Sequence, residues 1–457
     1  MTTTGATAYW CELAWVPPGE VASGVLVHVD DTHITAVERA ATPPPRATRL
    51  PGLTLPGLAN VHSHAFHRAL RGRTHGVPTA TGAGRGSFWT WRERMYDVAR
   101  RLDPDTYHQL ARAVYGEMVL AGITCVGEFH YLHHGPDGTP YDEPNVMAEV
   151  LVAAAREAGL RITVLDTCYL TGGIGAPLSG AQMRFGDGDA EKWATRADQL
   201  RGAHAKDHDV VVGAAVHSVR AVPPHELATV VSWGHASHAP LHVHLSEQRR
   251  ENADCEAAYG VSPTALLFEH GVLGPRTTAV HATHLDEGGV GLLAGTETTV
   301  CLCPTTERDL ADGIGPASSL SRAGSPLVLG SDSHAVIDLF EEARALELDE
   351  RLHTEERGHW SAPELLTAMS ESGHRALGFA DAGLIAPGGW ADLVSVRLDS
   401  VRTAGADLGR AVDMAVFAGT AADVVSVVAS GCPVASNGHH LRLGDVGALL
   451  TSSIQTL

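Results

Sequence analysis

Between residues 56 and 380 the chain repeats one unit: a short apolar run, a polar loop, then a longer helical stretch. Eight such runs can be placed, at 58–62, 124–128, 161–167, 210–217, 241–245, 278–282, 299–302 and 327–330. Runs of about four to eight residues that are apolar throughout are the mark of strands buried on both faces. Helical stretches such as 104–121, 146–158 and 262–269 supply the crossovers that parallel strands need. Eight strand-helix units in roughly 320 residues predict a (β/α)8 TIM barrel with insertions. A doubly wound parallel sheet is the architectural alternative.

The flanks read differently. Gly24-Val25-Leu26-Val27-His28-Val29 is strand-like and runs into the turn-like Asp30-Asp31. Near the other end, Ala391-Asp392-Leu393-Val394-Ser395-Val396 and Val424-Val425-Ser426-Val427-Val428 are also strand-like. Chain ends often meet on one side of a domain, so residues 1–55 and 381–457 are expected to build a small β-sandwich jointly, beside a barrel at 56–380. The glycine- and threonine-rich stretch 71–86 reads as a mobile loop over the barrel mouth.

Composition narrows the class of partner. A net charge of −20 over 457 residues argues against nucleic acid, which needs a basic surface. Residues 1–9 lack the basic and apolar stretches of a signal peptide, and no run has membrane-spanning length. A cytoplasmic protein acting on a small molecule is expected. The seven cysteines are odd in number and scattered, several within apolar runs where a thiol acts as a small core residue. Cys301 and Cys303 alternate on one strand, which leaves a Cys-x-Cys metal site as a second reading.

Metal-ligand residue types fall where the apolar runs stop. His62-Ser63-His64 closes the first, His244 the fifth with Glu247 three residues on, His281 the sixth, and Asp332 the eighth. With 27 histidines, chance supplies roughly one or two His-x-His pairs, so the motif alone is weak. Position strengthens it. Strand alternation points His62 and His64 to one face, and the C-terminal rim of a barrel is where such sites are built. His242 shares a face with His244 but lies farther from the strand end, so it reads as a supporting or core histidine. Imidazoles and a carboxylate suit one divalent metal with a position open to water, and Glu247 lies where it could move that water's protons. A metal pair bridged by a modified lysine on the fourth strand is disfavoured: 210–217 contains no lysine, and Lys206 precedes it at the wrong end.

Several longer stretches carry a resemblance. They are 56–66 (Pro-Gly-Leu-Ala-Asn-Val-His-Ser-His-Ala-Phe), 87–93 (Ser-Phe-Trp-Thr-Trp-Arg-Glu), 127–134 (Gly-Glu-Phe-His-Tyr-Leu-His-His), 217–222, His281-Ala282-Thr283-His284 and Cys303-Pro304-Thr305-Thr306-Glu307. With them the chain resembles the single-metal deaminase branch of the amidohydrolase superfamily and, within it, the formimidoylglutamate deiminase family of histidine degradation. The likeness spans nearly the whole barrel and is looser in the flanks. It implies that His62, His64, His244 and Asp332 bind one zinc ion and that Glu247 and His281 form the acid/base pair. Arg92, Tyr131, His217 and Arg220 match substrate-contacting positions, and His67 stands where the family usually has a glutamine that also touches substrate.

The implied reaction is hydrolysis of N-formimidoyl-L-glutamate to N-formyl-L-glutamate and ammonia. Arg92 and Arg220 suit a dianionic substrate, since guanidinium pairs with both oxygens of a carboxylate. Arg94 is the competing contact if the segment is helical and rotated. Three other readings stand beside this one. They are a deaminase of another amidine or aminated heterocycle such as guanine or a pterin, a cyclic amidohydrolase of the imidazolonepropionase type, and a binding protein without activity on the same fold. Relatives of this kind are commonly homodimers, although no patch in the sequence marks an interface.

Overall fold

The computed structural model describes residues 7–75 and 86–457. The stretch expected as a loop over the mouth falls largely on residues 76–85, outside the described residues.

Four strands open the chain: β1 Thr7–Val16, β2 Glu20–Asp30, β3 His33–Arg39 and β4 Thr48–Pro56. Eight more follow at the expected positions: β5 Leu58–Ser63, β6 Ile123–His130, β7 Arg161–Cys168, β8 Val210–Val216, β9 Leu241–Leu245, β10 Thr277–His281, β11 Thr299–Leu302 and β12 Leu327–Leu329. These eight pair in parallel, each beside its neighbour in chain order from β5 to β12. A doubly wound sheet would reverse that order part-way, so the alternative falls. Strands β5, β6 and β7 are buried along their whole length, which explains why they read as unbroken apolar runs rather than alternating ones.

The ring is closed between its first and last strands by a short seam. Ser63 and Asp332 form an isolated parallel bridge, and the Asp332 N–H donates to the His62 carbonyl at 2.9 Å. Gly330 makes that approach possible, because a Cβ there would lie 2.7 Å from His62 Cβ and 2.8 Å from its backbone nitrogen.

The two ends of the chain meet as expected. β13 Leu393–Val396, β14 Val424–Ala429, β15 Cys432–Ser436 and β16 His439–His440 join β1–β4 in one eight-stranded sheet, in the order β16-β15-β14-β13-β4-β1-β2-β3. The join is antiparallel pairing of β13 with β4, from Leu393 opposite Pro56 to Val396 opposite Leu53. Its buried face is small and aliphatic, with Val25, Val27, Leu50 and Leu393 around Tyr9. The sheet is tied to the barrel floor by the buried ion pair of Arg161 with Asp392 at 2.5 Å, with the guanidinium stacked on Trp390.

Among the described residues no helix is long and apolar enough to cross a membrane. Cys301 and Cys303 are buried and free, and neither belongs to a cluster of ligand-type side chains among those residues.

Candidate metal centre and active site

The expected ligands converge at the C-terminal ends of β5, β9, β10 and β12. His62 Nε2 lies 3.1 Å from His244 Nε2 and 3.4 Å from Asp332 Oδ1, and His64 Nε2 is also 3.4 Å from that oxygen. His62, His64 and Asp332 form one group whose ligand atoms lie within 4.8 Å of one another, and His62, His244 and His281 form a second. His242 points elsewhere, toward the Ala376 carbonyl.

Backbone carbonyls set the tautomers. His64 Nδ1 contacts the Phe129 carbonyl and His244 Nδ1 the His217 carbonyl, both at 2.9 Å. A carbonyl only accepts, so each Nδ1 carries the proton and each Nε2 turns a lone pair to the centre. Two imidazole nitrogens facing each other at 3.1 Å beside a carboxylate are poorly satisfied by protein alone. Three nitrogens and one carboxylate oxygen match the donor set of zinc, and the residues present fit one divalent ion.

Electrostatics favour a cation further. Burial lowers the His62 and His244 imidazoles and brings His64 to about 3, the last helped by neighbouring His62. Burial alone would raise Asp332, but the contact with His62 and the charges of His62, His281 and His64 hold it well below the ordinary carboxylate range. His281 behaves oppositely to the other imidazoles. Burial opposes its charge, yet Glu247, Glu307 and Asp332 outweigh that and raise it to about 10. Its Nε2 is 3.9 Å from both Glu247 Oε1 and Asp332 Oδ2, and its Nδ1 is 3.5 Å from Glu307. Burial raises Glu247, countered in part by His281 and Arg220.

The local backbone is unusual where these side chains emerge. Ser246, His281, Ala282, Asp332 and His334 all have positive φ, between 40° and 71°. Non-glycine residues rarely adopt that region, and here they gather where strands turn abruptly into the loops that carry the site.

A cavity of about 160 Å³ opens over the cluster. Arg92, Tyr131, His217, Arg220 and His67 all line it, together with Glu247. Arg92 comes from the helix Phe88–Arg101, stacked on Trp89 with its Nε buried and unpartnered, while Arg94 on the same helix is exposed. His67 Nε2 meets the Tyr131 hydroxyl at 2.9 Å, so these two form one wall rather than two free contacts. Arg220 is held between Glu251 at 2.9 Å and Glu247 at 3.4 Å.

Four contributors were not singled out from the sequence. Glu128, in the middle of β6, accepts from the Ser63 hydroxyl at 2.6 Å and the Ala65 N–H at 2.7 Å, bracketing His64. An acid inside an apolar run was its signal. Glu251 lies four residues beyond Glu247, and Glu307 follows the Cys-Pro-Thr-Thr stretch. Arg250 shares the Trp89 ring with Arg92, and no pattern in the sequence distinguishes it from any exposed arginine.

The parallel barrel carries at its rim a cluster of side chains that fits a divalent ion, and the chain belongs to the amidohydrolase family, whose sequence pattern matches residues 53–434. It is an enzyme that hydrolyses C–N bonds. More particularly, it is 36% identical over 443 residues to formimidoylglutamate deiminase of Pseudomonas aeruginosa, covering 95% of this chain and 96% of that one. An amidohydrolase from Brucella melitensis has the same fold, with a TM-score of 0.90, 32% identity, and coverage of 98% of this chain and 99% of that one. An adenosine deaminase from Xanthomonas campestris, solved with bound zinc, superposes with a TM-score of 0.83 at 25% identity, covering 98% and 97%.

Proposed function

We propose that the protein is a zinc-dependent deiminase of histidine degradation that converts N-formimidoyl-L-glutamate and water to N-formyl-L-glutamate and ammonia. The observation that carries this reading is the presence of two arginines, Arg92 and Arg220, in the same small cavity as Glu247 and the metal-ligand cluster. A substrate with two carboxylates and one amidine carbon matches that layout. The similarity to formimidoylglutamate deiminase over nearly the full length of both chains supports the same assignment.

In this reading His62, His64, His244 and Asp332 hold the metal. A zinc ion bound there supplies nucleophilic oxygen at neutral pH by lowering the pKa of water toward ~7. Glu247, with His281 orienting the water, takes one proton as the oxygen adds to the carbon of the protonated amidine. Glu247 then returns that proton to the terminal nitrogen, the C–N bond breaks, and the proton that the new hydroxyl gives up as the carbonyl forms is taken by the departing ammonia, which is released as ammonium. Arg92 and Arg220 orient the carboxylates, and Tyr131, His67 and His217 line the reacting end.

The test is ammonia release by zinc-loaded protein from N-formimidoyl-L-glutamate, with N-formimidoyl-L-aspartate and guanine alongside. A strong preference for the glutamate compound is expected. Ammonia from guanine alone would move the substrate to another class, and ring opening of a cyclic amide without ammonia would move the bond.

A further inference from the structure

Glu251 has no part in the roles described so far, yet it is fully buried beside the acid/base pair. It sits in the first turn of the helix Arg249–Tyr259. One of its oxygens accepts the Ser246 N–H at 2.8 Å, and the other forms an ion pair with Arg220 Nε at 2.9 Å that is not aligned as a hydrogen bond. On its other side the same guanidinium reaches Glu247 Oε2 through Nη2 at 3.4 Å. Glu247 Oε1 faces His281 at 3.9 Å. One buried cation therefore stands between two carboxylates and is drawn closer to Glu251.

We propose that Glu251 is a positioning residue that holds Arg220 off Glu247, leaving the Glu247 carboxylate free to move protons and the guanidinium turned to the substrate. The inference rests on the proposed function for its kinetic meaning. Charge-assisted pairs are strong where water is excluded, and a guanidinium that loses one carboxylate partner closes on the next. Without the charge at 251, Arg220 pairs tightly with Glu247 and draws it from the reacting atoms. The loss then appears in kcat and depends on Arg220.

Glu251→Gln keeps an oxygen for the Ser246 N–H and removes only the charge. Glu251→Asp keeps the charge and shortens the reach to Ser246. If the charge matters, the Asp variant retains kcat far better than the Gln variant, and the Gln variant loses at least ~10-fold in kcat with a smaller change in KM. In an Arg220→Met background, Glu251→Gln should then cost nothing further in kcat. The reverse order of the two variants, or an equal loss in both backgrounds, would reduce Glu251 to a support for the Ser246 turn and overturn the proposal.

A crystal structure of the Gln variant gives an answer independent of substrate. The Arg220–Glu247 separation should fall below 3.4 Å, and an unchanged separation overturns the idea. If the wild type releases no ammonia from N-formimidoyl-L-glutamate but Arg220 closes on Glu247 in the variant, the function reading fails and this inference stands. An active wild type with an unmoved Arg220 overturns this inference and leaves the function reading in place.

Discussion

Glu247 is held between a cation on one oxygen and an imidazole on the other, in a pocket that excludes most water. In the proposed reaction Glu247 moves protons, and a group in that role is expected to matter for the barrier more than for binding. Glu247→Gln should lower kcat on the order of 10³-fold while KM moves by less than about threefold; a change confined to KM would remove Glu247 from the chemistry. The imidazoles make a second expectation. Because burial lowers His62, His64 and His244, protons compete with a metal there less than they would at ordinary imidazoles. Zinc affinity, measured by chelator competition, should therefore vary less than about tenfold between pH 6 and 8, whereas three imidazoles at their ordinary pKa of ~6.5 would lose affinity steeply on acidification. That these side chains would converge was legible in the sequence, because His-x-His at a strand end and a carboxylate after the eighth run both carry a positional signal. Glu251 and Arg250 carried none, since a buried acid and an exposed arginine on the same helix look alike until the helix is packed.

At the scale of elements, the strand ends do the positioning. β5 and β12 approach so closely at Gly330 that the proposed metal ligands His62 and Asp332 share a backbone hydrogen bond. Gly330→Ala places a methyl against the His62 backbone, and the seam must open by several tenths of an ångström. We expect about 1–3 kcal/mol of destabilisation by chemical denaturation, together with a reduced zinc content after dialysis. Full zinc occupancy in a destabilised variant would show that ligand geometry does not depend on the seam. Leu241-His242-Val243-His244-Leu245 alternates in sequence although all five residues are buried. The barrel strands were still readable as short apolar-rich runs, because most of their residues are buried on both faces. The positive-φ turns after β9, β10 and β12 were not, because Ser246, His281 and Asp332 have no glycine to betray them.

Across the whole molecule, two sheets from distant parts of the chain are joined through Asp392, which accepts from Arg161, from the Thr124 hydroxyl and from the Ser430 N–H. Burial raises this carboxyl, but Arg161 outweighs burial and holds it below the ordinary range. A depressed folded pKa means the stabilisation is present above the unfolded value of ~3.9 and is lost as pH falls below it. Asp392→Asn leaves the Arg161 charge buried and uncompensated, so a loss of about 3–5 kcal/mol is expected in urea denaturation at neutral pH, shrinking toward acid. A near-neutral substitution would mean that Trp390 stacking alone carries the guanidinium. The sequence by itself determined the barrel, the joint origin of the second sheet and which residue types stand at the strand ends, because period, run length and position along each strand are local properties of the chain. Only the tertiary structure decided which buried polar groups face one another: that His67 meets Tyr131, that Glu128 brackets His64 and that Arg220 is shared by Glu247 and Glu251. Those pairings join residues from different strands and loops, and their distances follow from barrel closure, which no local pattern encodes.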